Sequence, residues 1–151
     1  MPACAPDAEV SPNGTLVATK GCSGLMVANL DGTDHRQVTP VLAVAHKFDW
    51  APDGSAIAFS DDNHDDSPEA INIATVAPDG TGLRYLTDVE AGSHAYIGSY
   101  SPDGGSIVYR LDRGEEHALF VIAADGSDKR QIAEFSGFRP RYIDWGAATV
   151  K

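Results

Sequence analysis

The sequence predicts an all-β protein made of propeller blades, each a meander of four antiparallel strands, and three observations carry that expectation. A short turn phrase recurs as Ser11-Pro12-Asn13-Gly14, Ala51-Pro52-Asp53-Gly54 and Ser101-Pro102-Asp103-Gly104, spaced by 40 and then 50 residues. A second turn follows each of them, Asp31-Gly32, Asp79-Gly80 and Asp125-Gly126, spaced by 48 and then 46 residues. Between the turns lie short apolar runs, with no capped segment of helical period, so essentially no α-helix is expected. Units of roughly 40–50 residues made only of strands and turns are the pattern of propeller blades.

Each unit divides into four strands. The first offers Ala8–Val10, Leu16–Thr19, Leu25–Asn29 and Arg36–Thr39. The second offers Lys47–Trp50, Ala56–Ser60, Ile71–Val76 and Leu83–Thr87, and the third Tyr96–Tyr100, Ser106–Arg110, Ala118–Ala123 and Lys129–Ala133. The blades thus run over about 5–40, 46–90 and 95–135 of a single domain, 1–151. Near the end, Tyr142-Ile143-Asp144-Trp145-Gly146 matches Lys47-Phe48-Asp49-Trp50-Ala51, so 141–146 reads as the first strand of a fourth unit. The turn chemistry supports the joints: proline sets φ, Asp or Asn suits the third position, and glycine takes the left-handed fourth. The Asp-Gly pairs suit hairpins that need positive φ. Leu119-Phe120-Val121-Ile122 is apolar on both faces, as is much of Ile71–Val76, the pattern of strands between stacked blades. Trp50 and Tyr100, just before the first turns, are expected to pack between neighbouring blades.

Composition narrows the classes of function. At 151 residues and 42% apolar, the chain suffices for one domain with a packed core. A net charge of −11 repels phosphate backbones, so neither nucleic acid nor an anionic membrane is expected as partner. No run of about 18 apolar residues offers a membrane-spanning helix. The first residues, Met1-Pro2-Ala3-Cys4-Ala5-Pro6-Asp7, lack the basic start and apolar centre of a signal peptide. The protein is therefore cytoplasmic, or the chain begins after a removed export segment. Cys4 and Cys22 flank Asn13 at nine residues on either side. A hairpin extended from Asp7–Val10 and Leu16–Lys20 would face them across a disulfide in an oxidising compartment; otherwise they are two unrelated thiols.

Catalytic patterns are missing. Gly21-Cys22-Ser23-Gly24 has the wrong spacing for a nucleophile elbow, and no phosphate-binding glycine loop occurs. His35, His46, His64, His94 and His117 are scattered singly, without zinc-ligand spacing. Asn13-Gly14-Thr15 matches a glycosylation triplet, but its asparagine is already explained by the turn. Asp61, Asp62, Asp65 and Asp66, with Glu69, form an acidic stretch between the second and third strands of the second unit. These are weak candidates for a hard cation such as Ca²⁺. The calcium-hand spacing is unmatched, so a solvated acidic loop is the favoured reading. No cofactor is expected.

The connections between blades collect a different set: His46 and Lys47, then His94 and Tyr96, then Arg139, Arg141 and Tyr142. Around a channel mouth they make a basic-aromatic rim on an acidic body, suited to an acidic peptide or a small anionic ligand, unless each only packs its own loop.

Trp50-Ala51-Pro52-Asp53-Gly54 followed by Ile57-Ala58-Phe59-Ser60, Pro78-Asp79-Gly80 and Leu86-Thr87 resembles the TolB-type β-propeller repeat. The third unit fits as well, through Tyr100-Ser101-Pro102-Asp103-Gly104, Ile107-Val108-Tyr109, Phe120-Val121-Ile122 and Asp125-Gly126. The first departs, with Val10 where the aromatic belongs and Asn13 for Asp. The pattern is specific for the fold and unspecific for activity, because such repeats also occur in propellers appended to peptidases. The resemblance implies a non-catalytic module for protein or ligand binding, periplasmic or extracellular. The alternative is the propeller part of a larger peptidase or lyase. Three blades cannot close a ring, so two copies completing six blades, or a chain that is the end of a longer propeller, are both expected solutions.

Overall fold

The computed structural model describes residues 7–21, 24–40, 47–61 and 69–146. Its twelve strands form three separate four-stranded antiparallel sheets, each an up-and-down meander. The first contains β1 (Ala8–Val10), β2 (Leu16–Gly21), β3 (Gly24–Asn29) and β4 (Arg36–Gln37). The second contains β5 (Phe48–Trp50), β6 (Ile57–Asp61), β7 (Asn72–Val76) and β8 (Arg84–Tyr85). The third contains β9 (Ser93–Tyr100), β10 (Ser106–Arg113), β11 (Glu116–Ala123) and β12 (Arg130–Ser136). No helix occurs among the described residues.

Both turn classes form as their residues dictate. Gly14, Gly54 and Gly104 stand at φ of 70°, 73° and 73° and donate to the carbonyls of Ser11, Ala51 and Ser101 at 2.8 Å. The Asp-Gly turns close between Asn29 and Thr33, Ala77 and Thr81, and Ala123 and Ser127, each through a 2.9 Å backbone bond. In five of the six turns an aspartate gathers nearby donors: Asp53 accepts from Ser55 N and Oγ, and Asp31, Asp79, Asp103 and Asp125 do likewise. Hydrogen bonds from the hydroxyls and amides hold all five carboxyls below their ordinary pKa. Asn13 takes the same role in the first turn, accepting from Ser11 Oγ at 2.7 Å and Thr15 N at 3.2 Å.

The second sheet is buried on both faces. Ile57, Phe59, Ala74 and Val76 pack against Ala18, Leu25, Val27 and Val38 of the first sheet, with Phe48 and Trp50 in the same cluster. Their alternating neighbours Ala58 and Ile73 pack against Ala95, Ile97, Tyr100, Ile107, Tyr109 and Ile122 of the third. Every residue of β6 and β7 is buried, as expected for strands between stacked sheets. Trp50 and Tyr100 lie at 4% and 7% exposure, inside the two interfaces. The third sheet departs from the expectation: on the face opposite the second sheet Leu119 stays only partly buried and Ile132 is 47% exposed, because no fourth sheet covers that face among the described residues.

Two further differences from the sequence reading have plain causes. Strands β4 and β8 are two residues long, because Thr39 and Thr87 turn their hydroxyls to the amides of Leu25 and Ile73 at 2.9 Å and replace the ladder there. The third sheet is longer than expected, running on through Arg110-Leu111-Asp112-Arg113 to a hairpin at Gly114. Arg110 and Asp112 look like a strand end in sequence, yet they are 6% and 5% exposed and paired with each other at 2.7 Å.

The hairpin register Ala8↔Thr19 is one residue away from the symmetric pairing that would have faced Cys4 and Cys22; both cysteines lie outside the described residues. The segment 141–146, expected as a strand, joins no ladder among the described residues. It lies against β9 instead: Trp145 N donates to Ser99 Oγ at 2.6 Å, and a Cβ on Gly98 would meet Ile143 at 2.8 Å.

Repeated contacts join the sheets at two radii. Inside, the residue before each aromatic reaches the next aromatic's amide: Asp49 Oδ2 accepts from Tyr100 N of the third sheet at 2.7 Å, as Ser99 does from Trp145 in the segment after β12. Outside, Arg36 Nε donates to Pro78 O at 3.0 Å and Arg84 Nη2 to Ala124 O at 2.8 Å, so each outer-strand arginine clasps the Asp-Gly turn of the following sheet. Arg130 holds the same place on β12 and makes no hydrogen bond among the described residues.

Two outcomes test this packing. Phe59→Ala removes a fully buried ring and should cost about 3–5 kcal/mol in a urea melt, against less than about 0.5 kcal/mol for Tyr142→Ala at the surface. The turn aspartates have depressed folded pKa values, so their stabilisation is full above the unfolded carboxyl pKa and is lost as pH falls through the folded one. Replacing all five by Asn, which cannot ionise, should lower the melting temperature at pH 7 and flatten its fall below about pH 4.

Candidate functional site

The strand ends nearest the third sheet's return segment gather a cationic chamber of about 400 Å³. Its lining is Lys47, Tyr96, Ile97, Arg110, Arg139, Arg141 and Ile143: four cations and no carboxylate. Lys47 sits just before β5, Tyr96 on β9 and Arg110 on β10, while Arg139 and Arg141 follow β12.

Behind the lining, Asp112 holds the cluster together. Its Oδ1 accepts from Arg110 Nε at 2.7 Å and meets His117 Nδ1 at 2.8 Å; its Oδ2 accepts from Arg139 at 3.0 Å. Burial alone would raise this carboxyl, but hydrogen bonds from Arg110 and His117, with the charges of Arg110 and Arg139, outweigh it and hold the pKa below its ordinary value. Arg110 also donates to the Pro140 carbonyl. The two guanidinium carbons lie 4.7 Å and 5.5 Å from the Tyr96 ring centroid, in cation–π range. Arg110 and Arg139 are thereby fixed by protein groups. Arg141 makes no hydrogen bond or ion pair among the described residues, and the Lys47 ammonium has a 3.4 Å contact to Ile143 O.

A second cavity of about 580 Å³ adjoins the first, sharing Lys47, Arg141 and Ile143. Its other walls carry Asp7, Glu9, Asp49 and Asp144 with Ala8, Phe48 and Tyr142. Burial, the charge of Asp49 and a hydrogen bond with it push Glu9 up to about 7, against the pull of Lys47. Burial raises Asp49 too, opposed by its bond from the Tyr100 amide.

The structure thus brings together Lys47, Tyr96, Arg139 and Arg141 of the predicted rim. His94 stands beside them, edge-on to Tyr96 at 6.0 Å, and does not line the chamber. Tyr142 is 99% exposed and belongs to the acidic cavity. His46 lies outside the described residues. Sequence reasoning missed Arg110, Asp112 and His117; the signal was the alternation Tyr109-Arg110-Leu111-Asp112, which puts both charges on one face of a continuing strand.

Of the acidic stretch, Asp61 is the last residue of β6, fully buried, and takes a hydrogen bond from the Tyr85 hydroxyl, so it is a strand residue and not part of a solvated loop. Asp62, Asp65 and Asp66 lie outside the described residues. No group of three or more His, Cys, Asp or Glu suited to a metal ion occurs among the described residues.

Known proteins share this architecture. No family model matches the chain. Dipeptidyl-peptidase 5 of Porphyromonas endodontalis is 28% identical over 113 residues, covering 68% of this chain and 16% of that protein. The β-propeller domain of the Trilobed protease from Pyrococcus furiosus superposes with a TM-score of 0.62 at 17% identity, over 90% of this chain and 42% of that one. TolB from Acinetobacter baumannii gives 0.62 at 14% identity, over 83% and 32%. The chain therefore has the fold of β-propeller blades and spans about a sixth of the length of the curated relative it matches.

Glu9 supplies a prediction with a definite sign. Its folded pKa is raised, so its contribution is full below the unfolded value near 4.5 and is lost as pH rises through about 7. Glu9→Gln should match the parent protein near pH 5 and melt higher at pH 8 by about 2–4 °C. Melting curves that fall in parallel over this range would contradict the shared-proton pair.

Proposed function

We propose that this chain is a β-propeller module that binds a protein segment or ligand without covalent chemistry of its own, and that the cationic chamber is its binding surface. One observation carries the reading: four cations and no carboxylate line a cavity on a protein of net charge −11. Such a concentration of one sign costs stability through self-repulsion unless an anion or a buried counter-charge offsets it. Asp112 offsets one charge of the four. The fold supplies what a binding site needs, strand ends holding side chains at fixed separations.

A second reading is favoured by the peptidase relative. The chain matches 16% of dipeptidyl-peptidase 5, so it also suits the propeller portion of a larger peptidase or lyase, in which the chamber meets substrate and the reaction occurs elsewhere. We further propose that a second copy of the chain completes the ring. In support, Arg130 lacks the turn that Arg36 and Arg84 clasp, and Val108, Leu119, Val121 and Ile132 line an apolar hollow of about 370 Å³ on the same face.

An array of decapeptides spanning net charge tests the chamber as a binding surface, which both of the first two readings require. Acidic members should bind, and Arg139→Ala with Arg141→Ala should weaken them at least about tenfold in a variant whose melting temperature confirms folding. Cleavage of array peptides, or binding indifferent to both substitutions, would contradict the module. Light scattering tests the ring: a dimer is expected, and a monomer at all concentrations would contradict it.

A further inference from the structure

The proposed binding surface divides into groups that hold the chamber and groups that face its occupant. Arg110 and Arg139 are held in place by Asp112, Arg110 also by the Pro140 carbonyl, and both guanidinium groups lie over Tyr96. They build the wall and, with Asp112, carry one net positive charge. Arg141 has no protein partner among the described residues, and Lys47, which contacts the Ile143 carbonyl and feels Glu9 and Asp49, stands with it on the boundary with the second cavity.

Across that boundary the sign of the field reverses. Asp7, Glu9, Asp49 and Asp144 line the adjoining cavity, and even with one proton shared between Glu9 and Asp49 they leave an excess of negative charge. The two cavities are contiguous, well within a Debye length of about 8 Å at physiological ionic strength, so screening does not separate them. A ligand with anionic charge along its whole length would satisfy Arg141 and Lys47 and at the next step meet these carboxylates. A ligand with a single compact anionic group meets only the favourable half. A carboxylate matches the planar fork of Arg141. The remaining space, about 580 Å³ walled partly by Ala8, Phe48 and Tyr142, is much more than that group fills and suits the neutral or basic neighbours of an extended chain.

Resting on the reading of the chamber as a binding surface, we infer that its ligand is a peptide segment with one isolated Asp or Glu side chain, whose carboxylate is held by Arg141 and Lys47, and that polyanions are rejected. Selectivity comes from the acidic cavity, which repels further anionic charge and accommodates neutral or basic neighbours.

Calorimetry with four probes on the full chain tests this: an acetylated, amidated heptapeptide Gly-Ser-Glu-Gly-Lys-Ser-Gly, its Gln counterpart, hexaglutamate and acetate. The Glu peptide should bind at least about tenfold tighter than the Gln peptide, and Arg141→Ala or Lys47→Ala should each remove that advantage. Lys129→Ala, an exposed cation that does not line the chamber, should leave it intact. Hexaglutamate should bind more weakly than the single-Glu peptide, and Asp49→Asn with Asp144→Asn should narrow that gap. Hexaglutamate binding more tightly at the Arg141-dependent site would overturn the single-carboxylate assignment while leaving the module reading in place. Acetate matching the peptide would overturn the peptide assignment, and equal losses from Lys129→Ala and Arg141→Ala would overturn the site itself.

Discussion

Where β5 and β9 of the second and third sheets meet, the side chain before the aromatic captures the next aromatic's backbone amide: Asp49 takes that of Tyr100 at 2.7 Å, and in the same way Ser99 takes that of Trp145, in the segment after β12, at 2.6 Å. The Asp49 bond fixes how the third sheet is set against the second, and the packing between those two sheets depends on that angle. Ile73 and Ala58 fill that interface, while Phe59 and Ile57 fill the one with the first sheet, where Trp50 Nε1 donates to Glu9 O, so the middle sheet has no face in water. The arginine clasps from Arg36 to Pro78 and from Arg84 to Ala124 then tie the outer strands at the far radius. Two points of attachment at different distances from the centre resist both twisting and splaying, which neither could do alone.

The chamber follows from the same arrangement. Lys47 precedes the strand that carries Asp49, Tyr96 is on the strand that carries Ser99, and Arg141 belongs to the segment held by Trp145. The three side chains therefore converge because their strands are joined, not because any loop folds back on its own. Asp112 completes the wall from β10, and its buried position makes the ion pairs with Arg110 and Arg139 costly to break from one side. Next door, the Glu9–Asp49 pair brings like charges together at the point where the first and second sheets meet. The acid that organises the Tyr100 amide is thus also one of the groups that set the field beside the cationic chamber.

Much of the scaffold was legible in the residues themselves. Pro-Asp-Gly and Asp-Gly turns have a local cause, a glycine at positive φ and a side chain that accepts two donors, so their positions and roles could be read without tertiary information. The two-sided burial of 72–76 was likewise suggested by Ile73, Ala74 and Val76, which put apolar side chains on both faces. What escaped were features in which a partner distant in sequence overrides the local signal. Thr39 and Thr87 shorten their strands by bonding to amides 14 residues away. Arg110 and Asp112 continue a strand that their charge seemed to end, because Arg139 and His117 neutralise the cost. Lys47, Tyr96, Arg139 and Arg141 could be named from their place between blades, but the way the work divides among them could not, since it depends on who reaches Asp112. His94 illustrates the limit: the right connection, and a ring turned to Tyr96 outside the chamber.

The bond between Asp49 and the Tyr100 amide offers the most direct trial of the account, through native-state hydrogen exchange at that amide in the parent protein and in Asp49→Ala. If the sheets are set by these side-chain-to-amide contacts, the Tyr100 amide is strongly protected, and the substitution speeds its exchange along with that of neighbouring β9 amides. An amide that exchanges freely in the parent protein, or protection unchanged by loss of the carboxylate, would contradict it.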